Sequence, residues 1–319
     1  MTAVQGQQTL ADPDAVRAAA AATEAADGVA PLGEAFALAL DHPGDHRVVT
    51  DDERADEVLG YAGLADDGSA ELFVVPTARR RGHGRALLAD LLAARPDARL
   101  WAHGDLLPAR SLAAAEGLEV VRELLVLARP LDPDDPADTE DPPLPDGVRV
   151  RPFVPGRDDA ELLAVNAAAF AAHPEQGSLD AAGLAERMAL PWFDPAGLLL
   201  LVEDGAGEGG EGGEGGEGGS ETTTGEQVIG FHWTKVEDGV GEVYVVGVRP
   251  DHQGRGLSGP LTRLGLAHLA RQGLREVELY VEGDNAPALA TYGRTGFTRR
   301  DLHVMYSRPV HRRLPDWAS

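Results

Sequence analysis

The chain has 319 residues, enough for two domains of ordinary size, and its formal net charge of −25 at pH 7 opposes binding to a nucleic-acid backbone. No cysteine is present, so a disulfide framework and a thiolate metal site are both excluded. Neither an apolar run of about 18 residues nor a basic start followed by an apolar stretch occurs, so no membrane span or signal peptide is expected and the chain reads as cytoplasmic. A monomer with no metal and no nucleic-acid partner is a separate expectation.

Taken in chain order, Asp14 to Ala26 predicts a helix, and Arg47–Val49, Val58–Leu64 and Glu71–Val75 read as strands. A glycine-rich turn follows, then an alanine- and leucine-rich helix over Arg85–Ala94. The acidic, proline-rich run LDPDDPADTEDPPLPDG, Leu131 to Gly147, is too polar to pack and reads as a disordered linker. Expected beyond it are a strand at Val148–Pro152, helices near Asp158–Ala172 and Ser178–Ala189, and strands at Leu198–Glu203, Val228–Val236 and Glu242–Val248. Between the first two of those strands, Asp204 to Glu226 repeats Glu-Gly-Gly, which holds neither helix nor strand and is expected to be a disordered, expanded hairpin loop. The last of the three also runs into a glycine turn and a helix with Leu257, Leu261 and Leu264 on one face. Val277–Glu282, Ala286–Arg294 and His303–Arg308 complete the chain as strand, helix and strand. The halves repeat one α/β plan, giving expected domains at 1–131 and 148–319 joined by a linker at 132–147.

The repeated turn carries the chemistry. Arg81-Gly82-His83-Gly84-Arg85-Ala86 and Gln253-Gly254-Arg255-Gly256-Leu257-Ser258 fit the pattern R/Q-x-x-G-x-G/A, with Ser258 a small-residue departure. Glycines without Cβ let backbone N–H groups approach a diphosphate, and the positive end of the following helix faces the same anion. Gly254 to Gly259 also matches the dinucleotide fingerprint G-x-G-x-x-G, with Glu282 at the end of the next strand. Five residues, Arg249 to Gln253, separate Val248 from that first glycine, however, and the first-half copy lacks the third glycine. The turn resembles the pyrophosphate-binding signature of the GCN5-related N-acetyltransferase (GNAT) family. Asp284 to Phe297 is similar to that family's last motif, N-x-x-A-x-x-x-Y-x-x-x-G-F.

This resemblance implies two tandem GNAT domains, each a central mixed, mostly antiparallel sheet flanked by helices, with acetyl-CoA as acetyl donor. In the first half it implies cofactor contacts from Val74, Val75, Arg81, Gly82, His83, Gly84, Arg85 and Ala86. In the second it implies them from Val246, Gly247 and Val248, from Gln253, Gly254, Arg255, Gly256, Leu257, Ser258 and Gly259, and from Asn285, Ala286, Pro287, Ala288, Leu289 and Ala290. Tyr292 would lie beside the thioester sulfur.

Longer strings are similar to one branch of the family, tandem enzymes that acetylate the cysteinyl amine of cysteinyl-glucosaminyl-inositol. They are Ala26 to Glu34, His173 to Gly177, Gly230 to Lys235, Gly241 to Val248 and Leu279 to Glu282. Carried over residue by residue, Glu34, Glu175, Lys235, Glu242 and Tyr280 would contact that small-molecule amine, carboxylates suiting its ammonium and hydroxyls. A free α-amine has a pKa near ~8, so Glu242 would act as general base and Tyr292 as general acid. Another amine N-acetyltransferase, or a non-catalytic acetyl-CoA-binding module, stays open at this point. The first half is expected not to catalyse. Aligning Gly117-Leu118 with Gly296-Phe297 puts Ala113 at the tyrosine position, and Glu71 lies out of step with Glu242 unless a bulge absorbs the difference.

Overall fold

Asp12 caps the first helix by accepting from the amide of Ala15, a proline opens the first turn, and Gly28 at φ 75° ends it, so α1 spans Pro13–Asp27. The computed structural model describes residues 4–51, 54, 57–171, 177, 179–204 and 225–309. Two compact units divide it. Unit 1 comprises Met1–Leu125, Glu282–Asp284 and Asp301–Ser319, and unit 2 comprises Val126–Val281 and Asn285–Arg300.

In unit 1, β1 (Gln5–Gln7), β2 (Asp45–Thr50), β3 (Val58–Leu64) and β4 (Ser69–Val74) pair antiparallel in sequence. β4 then pairs in parallel with β5 (Arg99–Ala102). A parallel neighbour needs a crossover, and the helix α3 (His83–Ala94) supplies it, burying Leu87, Leu88, Leu91 and Leu92. Helices α2 (Glu34–Ala39) and α4 (Leu107–Ala115) complete the layers, and β6 (Glu119–Pro130) leaves the unit.

Unit 2 repeats the pattern. Antiparallel β7 (Val148–Pro152), β8 (Leu198–Asp204), β9 (Glu226–Glu237) and β10 (Val240–Val248) are followed by parallel β11 (Glu276–Glu282), with α8 (Ser258–Arg271) as the crossover. Helices α6 (Asp159–Ala169), α7 (Ala181–Met188) and α9 (Ala286–Arg294) cover the sheet. The core gathers Leu162, Leu184, Leu198, Leu200, Phe231 and Trp233, all fully buried. Each unit is a mixed sheet flanked by helices, as expected.

Three features depart from the sequence reading. The final strand, β12 (Thr298–Ser307), gives Val304, Met305 and Tyr306 to unit 1 as antiparallel partners of β5, so the division differs from a cut at residue 131. The stretch read as a disordered linker contains a helix, α5 (Pro136–Thr139). Arginines and a few apolar side chains order it: Arg129 pairs with Asp138, Arg271 donates to the Thr139 carbonyl at 2.9 Å and to Asp141 at 2.8 Å, Leu131 is buried, and Leu144 packs on a core cluster of unit 2. The short elements α2, β5 and α4 and the strand β6 carry no clear period in the sequence, and the structure adds them to the expected elements. The Glu-Gly-Gly stretch, residues 205–224, lies outside the described residues, but β8 and β9 pair as far as Asp204 and Glu226, which makes the connection a hairpin.

Candidate active site

Both glycine turns are built alike. In unit 2 a single 3-10 turn, Pro250–His252, follows β10, and the Gln253 side chain folds back to donate to the Val248 carbonyl at 3.1 Å. Gly254 and Gly256 then adopt φ 78° and 75°, a left-handed conformation costly for other residues, and a Cβ on either would meet open space. Bare backbone therefore faces outward at the start of α8, a helix of 14 residues, which suits the diphosphate of acetyl-CoA. Arg255 is held over the turn by Glu203 at 2.6 Å.

In unit 1 the 3-10 turn is Pro76–Ala78, and Arg79 makes the matching bond to the Val74 carbonyl at 3.0 Å. Arg80 and Gly82 take the positive φ values, 64° and 92°. Gln253 thus matches Arg79, not Arg81, and the turn is Arg79-Arg80-Arg81-Gly82-His83-Gly84, two residues earlier than the sequence reading put it. Arg79 is fixed by Asp27 at 2.8 and 2.5 Å. A cavity of about 860 Å³ opens over this turn. Val74, Gly82, His83, Gly84 and Arg85 line it, joined by Leu72, Phe73, Arg79 and Arg80; Val75, Arg81 and Ala86 are not among its lining residues.

In unit 2, Glu242 pairs across the antiparallel ladder with Lys235 and across the parallel one with Glu278. Among the described residues, parallel pairing of β10 with β11 ends there, so Val246–Val248 is not paired with β11. Glu242, Lys235, Glu237, Glu278, Tyr280 and Arg300 line a polar cleft of about 250 Å³. Lys235 is nearly buried, with its Nζ 3.0 Å from Glu237, 5.4 Å from the Trp192 ring and 5.9 Å from the Tyr244 ring. Tyr244 in turn accepts from Arg187 at 2.8 Å. Tyr280 is 44% exposed, and its hydroxyl donates to Glu278 at 3.3 Å, while Arg300 pairs with Glu276 and Glu278. Tyr292, on α9, is buried against Phe297, and burial pushes its phenol up to about 12. Asn285 caps α9 through its side-chain oxygen, 3.2 Å from the Ala288 amide, which commits that oxygen to the helix.

A β-bulge sits in β10 between Val243 and Val245, and β4 has none. Counted along the ladders from the equivalent pairs Gly60–Val74 and Gly230–Val248, Glu71 matches Val245, and the residue matching Glu242 is Ser69. Ser69 spends its hydroxyl on Asp67 at 2.6 Å. The bulge therefore does not bring Glu71 to the base position. Ala113 does match Tyr292, since Leu118 bonds the Ala113 carbonyl at 2.9 Å as Phe297 bonds that of Tyr292 at 3.0 Å.

Of the predicted substrate residues, Lys235, Glu242 and Tyr280 come together in unit 2, Glu34 is the first residue of α2 in unit 1, and Glu175 lies outside the described residues. Sequence reasoning missed Arg79 and Arg80, although Arg79-x-x-Gly82-x-Gly84 fits the pattern as well as the register chosen. It also missed Trp192, Tyr244, Glu278 and Arg300, which no linear signal marks. No group of residues suited to a metal ion occurs among the described residues, and no helix there is long and apolar enough to cross a membrane.

The profile of the acetyltransferase (GNAT) family matches residues 218–297. The mycothiol acetyltransferase of Tsukamurella paurometabola is 49% identical over 302 residues, covering 93% of this chain and 97% of its own. That of Catenulispora acidiphila is 45% identical, covering 93% and 95%. Among solved structures, a GCN5-related N-acetyltransferase from Sphaerobacter thermophilus superposes with a TM-score of 0.64 at 24% identity, covering 95% of this chain and 94% of its own. A tandem GNAT protein from the clavulanic acid biosynthesis pathway gives 0.63 at 20%, covering 96% and 98%. Those structures bear on the fold, and the two sequence relatives, matched end to end at nearly half identity, bear on the family. The chain belongs to the mycothiol acetyltransferase family, and it is an acyltransferase of the tandem GNAT kind.

Proposed function

We propose that unit 2 transfers acetyl from acetyl-CoA to the cysteinyl amine of cysteinyl-glucosaminyl-inositol, giving mycothiol. The observation that carries this reading is the position of Glu242. It borders a polar cleft with Lys235 and Tyr280, one strand segment before Val246–Val248, which is not paired with β11. Acetyl-CoA, when bound, supplies the acetyl thioester. Glu242 takes a proton from the acceptor ammonium, directly or through a water, and frees the lone pair that attacks the thioester carbon. Amides in Val246–Val248 donate to the carbonyl oxygen as negative charge develops there. Tyr292, protonated across the physiological range, gives its proton to the sulfur as the carbon–sulfur bond breaks, and the second proton that the attacking nitrogen sheds on becoming an amide restores the phenol through solvent. Lys235, Tyr280 and Glu34, with Glu175, hold the acceptor. Unit 1 binds acetyl-CoA in its cavity without turning it over, since Ser69 and Ala113 occupy its base and acid positions.

The reading is tested by thiol release from acetyl-CoA with the cysteinyl sugar beside other amines. Release should depend on the cysteinyl sugar. Glu242→Gln should lose most rate below the amine pKa and recover in part above it, whereas Tyr292→Phe should lose rate throughout. A Glu242→Gln profile parallel to the parent protein would refute the base assignment, and preference for another amine would refute the substrate.

A further inference from the structure

Glu71 takes no part in the chemistry proposed above, yet it is 3% exposed at the middle of a sheet, where an ionised carboxylate needs partners. It has two, one for each oxygen. Oε2 accepts from the backbone amide of Gly33 at 2.8 Å, and Oε1 accepts from His103 Nε2 at 2.9 Å. Burial pushes the His103 imidazole down, and the charge and hydrogen bond of the adjacent Glu71 more than reverse this, so the ring is held above the ordinary histidine value. His103 is itself braced. It opens a turn, His103–Asp105, in which Gly104 and Asp105 take φ 71° and 41°. The Gly104 amide donates to His303 Nδ1 at 2.9 Å, the Tyr306 hydroxyl donates to Asp105 at 2.9 Å, and the His303 ring lies edge-on to His103 at 4.8 Å.

At the other end of this chain of bonds stands Gly33, the N-cap of α2, with Glu34 immediately after it. A glycine offers no side-chain cap, and α2 has six residues, too few to hold its own first turn in place. The fit around Gly33 is close: a Cβ there would come 3.1 Å from Glu71 Oε1 and 3.6 Å from His103 Cε1.

We propose that Glu71, braced by His103, is a positioning residue for acceptor binding: it pins the Gly33 amide and thereby fixes where α2 begins and where Glu34 is presented. This rests on the reading of Glu34 as an acceptor contact. A carboxylate buried in the sheet of the non-catalytic unit thus serves the reaction through a backbone bond.

The test is steady-state kinetics on the full chain carrying Glu71→Leu, Glu71→Gln, Glu34→Gln and the pair Glu71→Leu with Glu34→Gln, with thermal unfolding as a check on folding. Glu71→Leu should raise the KM for the cysteinyl sugar about tenfold while kcat and the KM for acetyl-CoA change less than about twofold, the pattern of lost uniform binding. Glu71→Gln keeps an oxygen for the Gly33 amide and should recover most of the affinity. The double variant should be no worse than Glu34→Gln alone, because the two act on one contact. Additive losses, or a fall in kcat with equal rises in both KM values, would overturn the clamp while leaving the Glu34 reading intact. A Glu34→Gln protein with unchanged KM would remove that reading and the clamp with it. Should Glu71→Leu fail to fold, Glu71→Gln and Gly33→Ala, which presses a methyl on the same carboxylate, answer the question.

Discussion

His232 is fully buried in β9, donating from Nδ1 to the Leu261 carbonyl at 2.9 Å, and burial pulls its imidazole down to about 4. Between that value and about 6.5 the unfolded chain binds more protons than the folded one, so stability falls as pH drops through this window, at up to about 1.4 kcal/mol per unit for one such group. His303 is also depressed to about 4, by burial first and then by His103, and acts in the same direction. His103 is raised, so its contribution is complete below the ordinary histidine value and is lost as pH rises through the higher folded value. Urea unfolding midpoints from pH 7 to pH 4.5 should therefore decline, and a flat profile would contradict the burial of both rings. The same histidine explains Gly265, where a Cβ would lie 2.0 Å from His232 Cε1. Gly265→Ala overpacks a ring that has nowhere to move, and about 2 to 3 kcal/mol of stability should be lost, read from a denaturant melt.

At the scale of elements, the strand-to-helix turn is the most informative. Gly256→Ala adds a methyl into open space, so any effect on the free protein comes from its φ of 75°, a cost of about 1 to 2 kcal/mol. The same methyl obstructs a diphosphate lying on the turn. Acetyl-CoA affinity should fall by far more than the stability change alone implies, and calorimetry showing unchanged affinity would remove the cofactor from this turn. The β8–β9 hairpin makes a different case. Asp204 and Glu226 are paired, so replacing residues 205–225 with a short turn closes a hairpin already in register. Loop-closure cost changes only logarithmically with length, and both melting temperature and activity should stay nearly constant. A large loss in either would give the repeats a function.

At the scale of the molecule, the order of strands in unit 1 decides how the chain can be cut. Val304 and Tyr306 belong to its core, and β5 pairs with residues 304–306. A fragment of residues 1–131 lacks both side chains, roughly 3 to 6 kcal/mol of apolar burial, and leaves an edge of β5 bare. It should melt well below the same fragment fused through a flexible linker to residues 300–309, as followed by circular dichroism. Equal stability of the two would show that the last strand adds little to the unit. Acetyl-CoA binding by unit 1 is accordingly best measured on the fused form.

What the sequence determined is local. Glycines at the phosphate turns, Pro and Asp at helix starts, and the Gly-Phe and Gly-Leu pairs after the last helices fix short-range geometry that neighbours along the chain alone can satisfy, and from them the tandem plan and the absent tyrosine at Ala113 were legible. The tertiary structure decided what depends on partners far away in sequence. Arg79 and Arg81 fit the same pattern, and only the bond from Arg79 to the Val74 carbonyl fixes the register. Glu71 and Glu242 look alike only while the turn is counted from Arg81. Counted from Arg79, Glu71 matches Val245, the one-residue bulge in β10 brings Ser69 rather than Glu71 into register with Glu242, and Glu71 goes to Gly33 and His103 while Glu242 borders a polar cleft. The surroundings of Lys235 and the strand that unit 1 draws from the end of the chain belong to the same class. Pairing between strands and packing between side chains are set by the summed burial of many residues, and no window of sequence contains that sum.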